Sequence, residues 1–186
     1  MTGTPLRADA RRNRERLLAA AEQVFTEQGV TASTEDVARA AGVGVGTVFR
    51  HFPTKEQLIE AVYQARLSRL ADLADRLAAS ADPGAAFAEF FTTTVEGAAT
   101  KNALAEALSR AGVATSTAEV GQWLRRALGV LLTRAQETGA VRPDVTLPDL
   151  MGLLIGTSRA VEHLSDDPGA RTRVVRVVLD GLRVPG

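Results

Sequence analysis

The sequence predicts an all-α protein: an N-terminal three-helix domain with a helix-turn-helix, followed by a helical bundle, about nine helices in total. Of the 186 residues, 45% are hydrophobic but only 4% are aromatic, so the apolar residues are mainly Ala, Leu and Val, which suits packed helices. A chain of this length can bury a real core. Apolar residues also recur at the spacing of a helix along most of the chain. We place the domain boundary after residue 54, giving domains 1–54 and 55–186.

Composition excludes several classes of function. The chain has no Cys, which rules out disulfides, thiolate metal sites and cysteine catalysis. No signal-peptide core and no run of ~20 apolar residues is present, so we expect a soluble cytoplasmic protein with no membrane partner. The formal net charge is zero, so only a local excess of Arg near the N-terminus favours nucleic acid. For each of these residues a solvated helix start is an equal alternative: Arg7, Arg11, Arg12, Arg14 and Arg16.

The first 28 residues predict a tail and an amphipathic helix. Residues 1–10 show no periodicity, and we expect a flexible tail. Residues 11–28 carry one apolar stripe, which ends at Gly29 and consists of Leu17, Leu18, Ala21, Val24 and Phe25. This helix should bury its stripe against the two helices that follow.

The stretch of residues 34–55 predicts a helix-turn-helix. One short helix starts at Thr34 and stops at Gly42, which can adopt the left-handed conformation. A second short helix fits residues 46–52, because Pro53 disfavours helical backbone in the residue before it. Two short helices joined by a tight turn that contains Gly are typical of this motif.

The second of these helices has two different faces. Val48 and Phe52, four residues apart, can face inward, which leaves a small and polar outer surface of a shape that a DNA major groove accepts. Thr54 and Gln57 then match the capping box that begins a fourth helix. Lys55 lies in the first turn of that helix, where the helix dipole disfavours a cation, so an anionic partner such as phosphate is indicated.

The rest of the chain predicts further helices, separated by Pro and Gly. A long fourth helix over residues 55–79 would span on the order of 35 Å and could link the two domains mechanically. The others are expected at residues 83–100, 102–111, 117–138, 147–164 and 170–183.

The last two predicted helices are apolar on more than one face. The residues that lie off the main stripes are Leu153, Ile155, Val177 and Leu179. A helix of this kind must be covered on more than one face. We expect a second subunit to supply the cover through a two-fold, four-helix interface, which gives a homodimer. The alternative is that these helices are the most central ones of a monomer.

The segment after the first short helix resembles a family signature. Residues 42–58 read Gly-Val-Gly-Val-Gly-Thr-Val-Phe-Arg-His-Phe-Pro-Thr-Lys-Glu-Gln-Leu, which is similar to the recognition helix and the fourth-helix start of TetR-type transcriptional regulators. Residues 123–154 are also similar to C-terminal regions of many such regulators. Two positions depart from the pattern: Gly44 replaces the usual Ser and Phe49 replaces the usual Tyr. Each departure removes a hydroxyl that could contact phosphate.

The resemblance implies which residues contact double-stranded DNA. Those matching phosphate or sugar contacts are Thr34, Thr47, Phe49, His51 and Lys55, and those that can approach base edges are Val45, Gly46, Thr47 and Arg50, with Gly44 beside them. Arg50 could donate to guanine or to phosphate, and Val45 could contact a thymine methyl group. Thr34 could equally be a helix cap, and Phe49 could equally be packing.

The resemblance also implies a small-molecule effector that binds in the second domain. The candidate lining residues are Phe87, Phe90, Phe91, Trp123, Met151 and His163. The sparse polar residues indicate a hydrophobic ligand. Aromatic residues at helical spacing are, however, more often plain core.

No cofactor or metal is expected. The two histidines, His51 and His163, lack the neighbours of a metal site, and Gly42, Gly44 and Gly46 have the wrong spacing for a dinucleotide loop. The sequence therefore predicts a DNA-binding regulator and not an enzyme, most simply a repressor released from a palindromic operator by a small ligand. The alternatives are a DNA binder of the same fold that has no small-molecule inducer, and a helical enzyme.

Overall fold

The structure, a computed structural model, describes residues 4–114, 117–164 and 167–184. Within these ranges all regular secondary structure is helical, which confirms the predicted all-α fold. The eight helices are α1 (Thr4–Gln28), α2 (Thr34–Ala41), α3 (Val45–His51), α4 (Lys55–Ala78), α5 (Pro83–Arg110), α6 (Thr117–Glu137), α7 (Leu147–His163) and α8 (Pro168–Leu182). None of these eight combines the length and the apolar character needed to cross a membrane.

The first helix begins earlier than predicted. A flexible tail was expected over residues 1–10, but α1 begins at Thr4. Pro5 is compatible with this start, because a Pro in the first helical turn lacks only an N–H that no helical carbonyl would accept. The prediction relied on apolar periodicity, and a helical turn made mainly of polar residues shows no such periodicity.

The fifth helix is longer than predicted. A break near residue 101 was expected to separate two helices, but α5 is continuous to Arg110. The described ranges therefore hold eight helices, where about nine were predicted. Thr100, Lys101 and Asn102 include neither Gly nor Pro, so nothing in this segment forces the helix to stop.

The described residues divide into two compact units. The first contains α1, α2, α3, the part of α4 up to Leu67 and the part of α5 from Thr100. The second contains α4 from Ser68, α5 up to Ala99, and α6, α7 and α8. Both α4 and α5 therefore contribute residues to both units. The division into domains 1–54 and 55–186 remains a proposal.

The first unit is built around an apolar core. The stripe predicted on α1 is part of it, with Leu17 and Phe25 almost completely buried. Arg66 of α4 also forms an ion pair with Glu22 of α1. Burying a side chain such as Leu or Phe typically contributes about 1.5–3 kcal/mol. The other members of this core include Ala21, Val24, Val37, Ala38, Ala41, Val48, Phe52, Leu58, Ile59, Val62, Tyr63, Leu104 and Leu108.

The second unit has its own apolar core, drawn from α4 to α8. Its members include Ala74, Leu77, Phe87, Phe90, Phe91, Val95, Leu128, Leu131, Leu132, Leu150, Leu154, Val161, Val175 and Leu182. Arg134 of α6 closes the end of α4 in this unit. Its guanidinium donates to the main-chain carbonyls of Leu77, Ala78 and Ser80, at 3.3, 2.5 and 2.8 Å. The last carbonyls of a helix lack partners within the helix, and Arg134 supplies them.

Reciprocal side-chain and main-chain hydrogen bonds cap the starts of α2 and α7. The Ser33 hydroxyl accepts from the Asp36 N–H at 3.1 Å, and the Asp36 carboxylate accepts from the Ser33 N–H at 3.0 Å. Ser33 is therefore the cap of α2, and the interpretation of Thr34 as that cap was wrong. Gly42 ends α2 with φ 68°, in the left-handed conformation that the sequence predicted. The same reciprocal bonding begins α7 at Thr146.

Candidate nucleic-acid interface

The recognition helix of the predicted motif, α3, is short and anchored on one face. It starts after Gly44, which serves as N-cap without a side chain to accept a hydrogen bond. Val48 is completely buried and Phe52, which follows the helix, is 3% exposed. The Phe52 N–H donates to the Val48 carbonyl at 2.8 Å. The prediction that these two residues face inward is confirmed, and their burial fixes the direction of the opposite face.

The opposite face of α3 is open. Val45 is 36% and Phe49 42% exposed, so Phe49 is not a core residue, and Gly46 and Arg50 are exposed as well. Positions separated by one, four and five residues lie on one side of a helix. A Cβ atom added at Gly44 or at Gly46 would meet no atom within 4 Å. A nucleic-acid backbone can therefore approach the start of α3 closely.

Three further candidate residues flank this face. Thr47 and His51 are half-buried on α3, and Lys55 is half-buried in the first turn of α4. The Thr54 hydroxyl accepts from the Gln57 N–H at 3.2 Å, so Thr54 caps α4 as predicted. The candidates on α3 and at the start of α4 thus lie on consecutive elements of one unit.

Thr34 differs from the other candidate residues. Its side chain is buried, with 9% of the residue exposed. Its hydroxyl donates to the carboxylate of the neighbouring Glu35 at 3.4 Å. Little of Thr34 is available for a contact with DNA.

Side chains from α1 contact the helix-turn-helix at the C-terminal end of each of its two helices. The Asn13 amide nitrogen lies 3.4 Å from Nε2 of His51, and the Arg14 guanidinium carbon lies 5.3 Å from the centre of the Phe52 ring. Arg16 donates to the carbonyl of Ala41, the last residue of α2, at 3.3 Å. The sequence pointed to Arg14 and Arg16 only as members of a basic cluster. It gave no signal for Asn13, because its partner is 38 residues away.

Five of the six candidate effector-binding residues lie on or against the second core. Phe87, Phe90 and Phe91 are buried, and Met151 is half-buried. The half-buried Trp123 meets Phe90 edge-on, with ring centroids 6.5 Å apart. This is the arrangement of a packed aromatic core, and an effector would have to enter it.

The sixth candidate, His163, does not lie in that core. It is exposed at the end of α7, and its Nδ1 lies 2.8 Å from the carbonyl of Arg159 in the preceding turn. Its ring bonds to its own helix at the surface, and its role as a pocket residue stays a prediction.

The candidate interface residues on α7 and α8 are mostly exposed. Ile155 is 62%, Val177 70% and Leu153 38% exposed. Leu179 is half-buried and packs against the second core, so its own subunit already covers part of it. Val130 on α6 is a further exposed apolar residue, at 51%.

Among the residues that the structure describes, no cluster of three His, Asp or Glu side chains could hold a metal ion. His51 belongs to the first unit and His163 to the second.

Comparisons with known proteins agree on one family. Residues 17–62 match the model of the bacterial regulatory proteins of the tetR family, and residues 82–184 match the C-terminal domain of SbtR-like transcriptional regulators. A TetR transcription regulatory protein from Mycobacterium vanbaalenii is 40% identical, with a TM-score of 0.75 over 97% of this chain and 100% of that one. A TetR transcriptional regulator from Streptomyces coelicolor is 35% identical, with a TM-score of 0.76 over 93% of this chain and 99% of that one.

The chain also resembles HTH-type transcriptional regulators from several Staphylococcus aureus strains, with 40% identity over 63 residues. That segment covers 33% of this chain and about a third, 34%, of those relatives.

In this all-helical protein the short helix α3 is anchored on one face and exposes its other face beside the start of α4. Together with the comparisons, this arrangement defines the class: a helix-turn-helix transcriptional regulator. This chain belongs to the TetR family of bacterial regulatory proteins. The resemblance seen in the sequence is thereby confirmed.

Proposed function

We propose that this regulator binds a palindromic operator as a homodimer, represses transcription from it, and is released by a small apolar effector. The observation that carries the proposal is the open face of α3, where Val45, Phe49 and Arg50 are exposed while Val48 anchors the helix from behind. A buried anchor and an exposed opposite face are what a helix needs to enter a major groove without losing its support. Because it acts on DNA, we place the protein in the bacterial cytoplasm.

Different residues of this surface have different roles in the proposal. Arg50 can donate two hydrogen bonds to a guanine edge, and Val45 can contact a thymine methyl group. Thr47, His51 and Lys55 contact phosphates, which position the helix without reading sequence. Gly44 and Gly46 allow the DNA backbone to approach, because the space where their side chains would be is open.

The dimer is proposed to form through α7 and α8. Ile155 and Val177 are the most exposed of the candidate residues there, and covering them with the same surface of a second copy would remove apolar area from water. A two-fold dimer presents two copies of α3. Two half-sites about one DNA turn, or roughly 34–36 Å, apart would then match a palindromic operator.

Release by an effector is proposed to act through α4. This helix supplies Leu58, Ile59 and Val62 to the first core and Leu77 to the second. A ligand that enters the second core and shifts α4 would therefore disturb the placement of α3. To change operator occupancy from mostly bound to mostly free, the ligand must favour the released state by several kcal/mol.

The experiment is selection of bound fragments from a random DNA pool, followed by titration of variants on the recovered site. We expect an inverted repeat. Arg50→Ala should relax preference at one position and cost about 1–3 kcal/mol. Lys55→Ala should weaken all sequences similarly and reduce the magnitude of the salt slope by about one.

The matched control is Arg126→Ala, which removes an exposed cation from α6 in the second unit and should leave both quantities unchanged. Weak, sequence-independent binding of the wild type at moderate salt would contradict the proposal. A uniform loss on Arg50→Ala would reassign that residue from base reading to phosphate contact.

A further inference from the structure

In the first unit, two side chains of α1 contact the end of α3 and the residue that follows it. Asn13 reaches the ring of His51, the last residue of α3, at 3.4 Å. Next to it, the Arg14 guanidinium lies over the Phe52 ring, and the main chain of Phe52 is bonded to Val48. Helix α1 thus holds His51 in two ways: Asn13 contacts its side chain, and Arg14 contacts the next residue, Phe52.

The Asn13 contact indicates one tautomer of the imidazole. The Asn13 amide nitrogen lies 3.4 Å from Nε2 of His51, and this pair forms a hydrogen bond when the amide donates and Nε2 accepts. A neutral imidazole with Nε2 as acceptor carries its proton on Nδ1. The side of the ring away from Asn13 therefore presents a hydrogen-bond donor.

We propose that Asn13 is a positioning residue of the DNA interface, which holds the His51 ring in the tautomer that donates from Nδ1 to an operator phosphate. This inference rests on the proposed function. Asn13 need not contact DNA itself. Its effect is that His51 meets the phosphate already oriented and with the correct nitrogen protonated.

A neutral donor and a cation act differently on DNA binding. Salt dependence arises from counterions released when a cation neutralises phosphates, which a neutral imidazole does not do. Loss of the pair Asn13 and His51 should therefore lower affinity at every salt concentration without changing the salt slope. Loss of Lys55 should change that slope, so the two kinds of contact can be separated.

The test compares Asn13→Ala, Asn13→Asp, His51→Ala and the double variant Asn13→Ala/His51→Ala at about pH 8, above the range in which histidines usually titrate. Asn13→Ala should weaken operator binding roughly three- to tenfold, the loss of one neutral hydrogen bond, with an unchanged salt slope. The double variant should bind no more weakly than His51→Ala, since both changes remove the same contact.

The tautomer is measured directly from the nitrogen shifts of the imidazole in long-range ¹H–¹⁵N NMR spectra of the free protein. The chain has two histidines, so a His163→Asn variant assigns the signals. Wild type should show Nδ1–H at His51. Asn13→Asp keeps the size of the side chain but replaces the donor with an acceptor, so it should shift the ring toward protonated Nε2. If Asn13 had a purely structural role, Asn13→Asp would not change the tautomer of His51.

The matched control is Gln23→Ala, which removes an amide from the same helix that is bonded to Glu27 at 3.0 Å. It should leave affinity and tautomer unchanged, and thermal melting of each variant reports its folding.

Three results would overturn the inference: an Nε2–H tautomer in the wild type, an Asn13→Ala protein that binds like wild type while His51→Ala binds weakly, or a further loss from Asn13→Ala in the His51→Ala background. If His51→Ala, Arg50→Ala and Lys55→Ala all leave DNA binding unchanged, it is the proposed function that fails.

Discussion

Replacing Arg134 should reveal how strongly the end of α4 is held by α6. The guanidinium of Arg134 donates to three main-chain carbonyls, those of Leu77, Ala78 and Ser80, and the side chain is half-buried. We propose the change Arg134→Met, because Met keeps the apolar stem and much of the volume but removes all the donors. The carbonyls of Ala78 and Ser80 then lose the Arg134 donor, while the carbonyl of Leu77 keeps the Ser80 N–H at 3.1 Å.

The size of the effect follows from the geometry. Hydrogen bonds from a charged donor contribute about 1.5–3 kcal/mol each when well formed. One of the three is long, at 3.3 Å, and the end of α4 is open enough for water to replace part of the loss. We therefore expect a net destabilisation of about 2–3 kcal/mol. For a chain of this size that corresponds to a fall in melting temperature of roughly 4–12 °C.

The assay is denaturant unfolding at a fixed protein concentration, since subunit association would also contribute to stability. The midpoint should fall while the slope with denaturant stays the same. The control is Arg125→Met, which removes an exposed guanidinium from the same helix. If both variants unfold at the wild-type midpoint, the contacts of Arg134 contribute nothing measurable and the reasoning is refuted.

Three further predictions concern the interface, the effector and the effect of pH. Ile155→Glu should give monomers or insoluble protein in sedimentation experiments, whereas Ala99→Glu, an exposed position on α5, should not; an unchanged dimer refutes the interface. An apolar effector in the second core should change the fluorescence of Trp123 and raise the melting temperature. At a concentration one hundred times its Kd, it should raise the free energy of unfolding by about 2.7 kcal/mol. No response across a broad panel of metabolites would instead favour control by a protein partner. Hydrogen bonds from Ser33 hold the pKa of Asp36 below its usual value. The folded state thus binds fewer protons there than the unfolded state, so this contribution to stability is complete above about pH 4 and is lost as the pH falls through the folded pKa. Asp36→Ala should flatten that acid-side decline in urea unfolding, and an unaltered decline would contradict the assignment.

Local signals in the sequence were sufficient for the elements that form the site. Gly42 ends α2 in the left-handed conformation because a residue without Cβ adopts it at no steric cost. Val48 and Phe52 are buried as their spacing predicted, because residues four apart lie on one face of a helix. These rules involve only neighbours in the chain, so the class of fold and the outward face of α3 could be predicted without coordinates.

Contacts between distant segments were decided only by the tertiary structure. The end of α5, from Thr100, belongs to the first unit, where Leu104 and Leu108 join its core. The contact between Asn13 and His51 joins residues 38 positions apart, and no periodicity within either helix encodes it. Helical spacing shows which side of a helix avoids water, but the partner that covers that side is chosen by the packing of the complete chain.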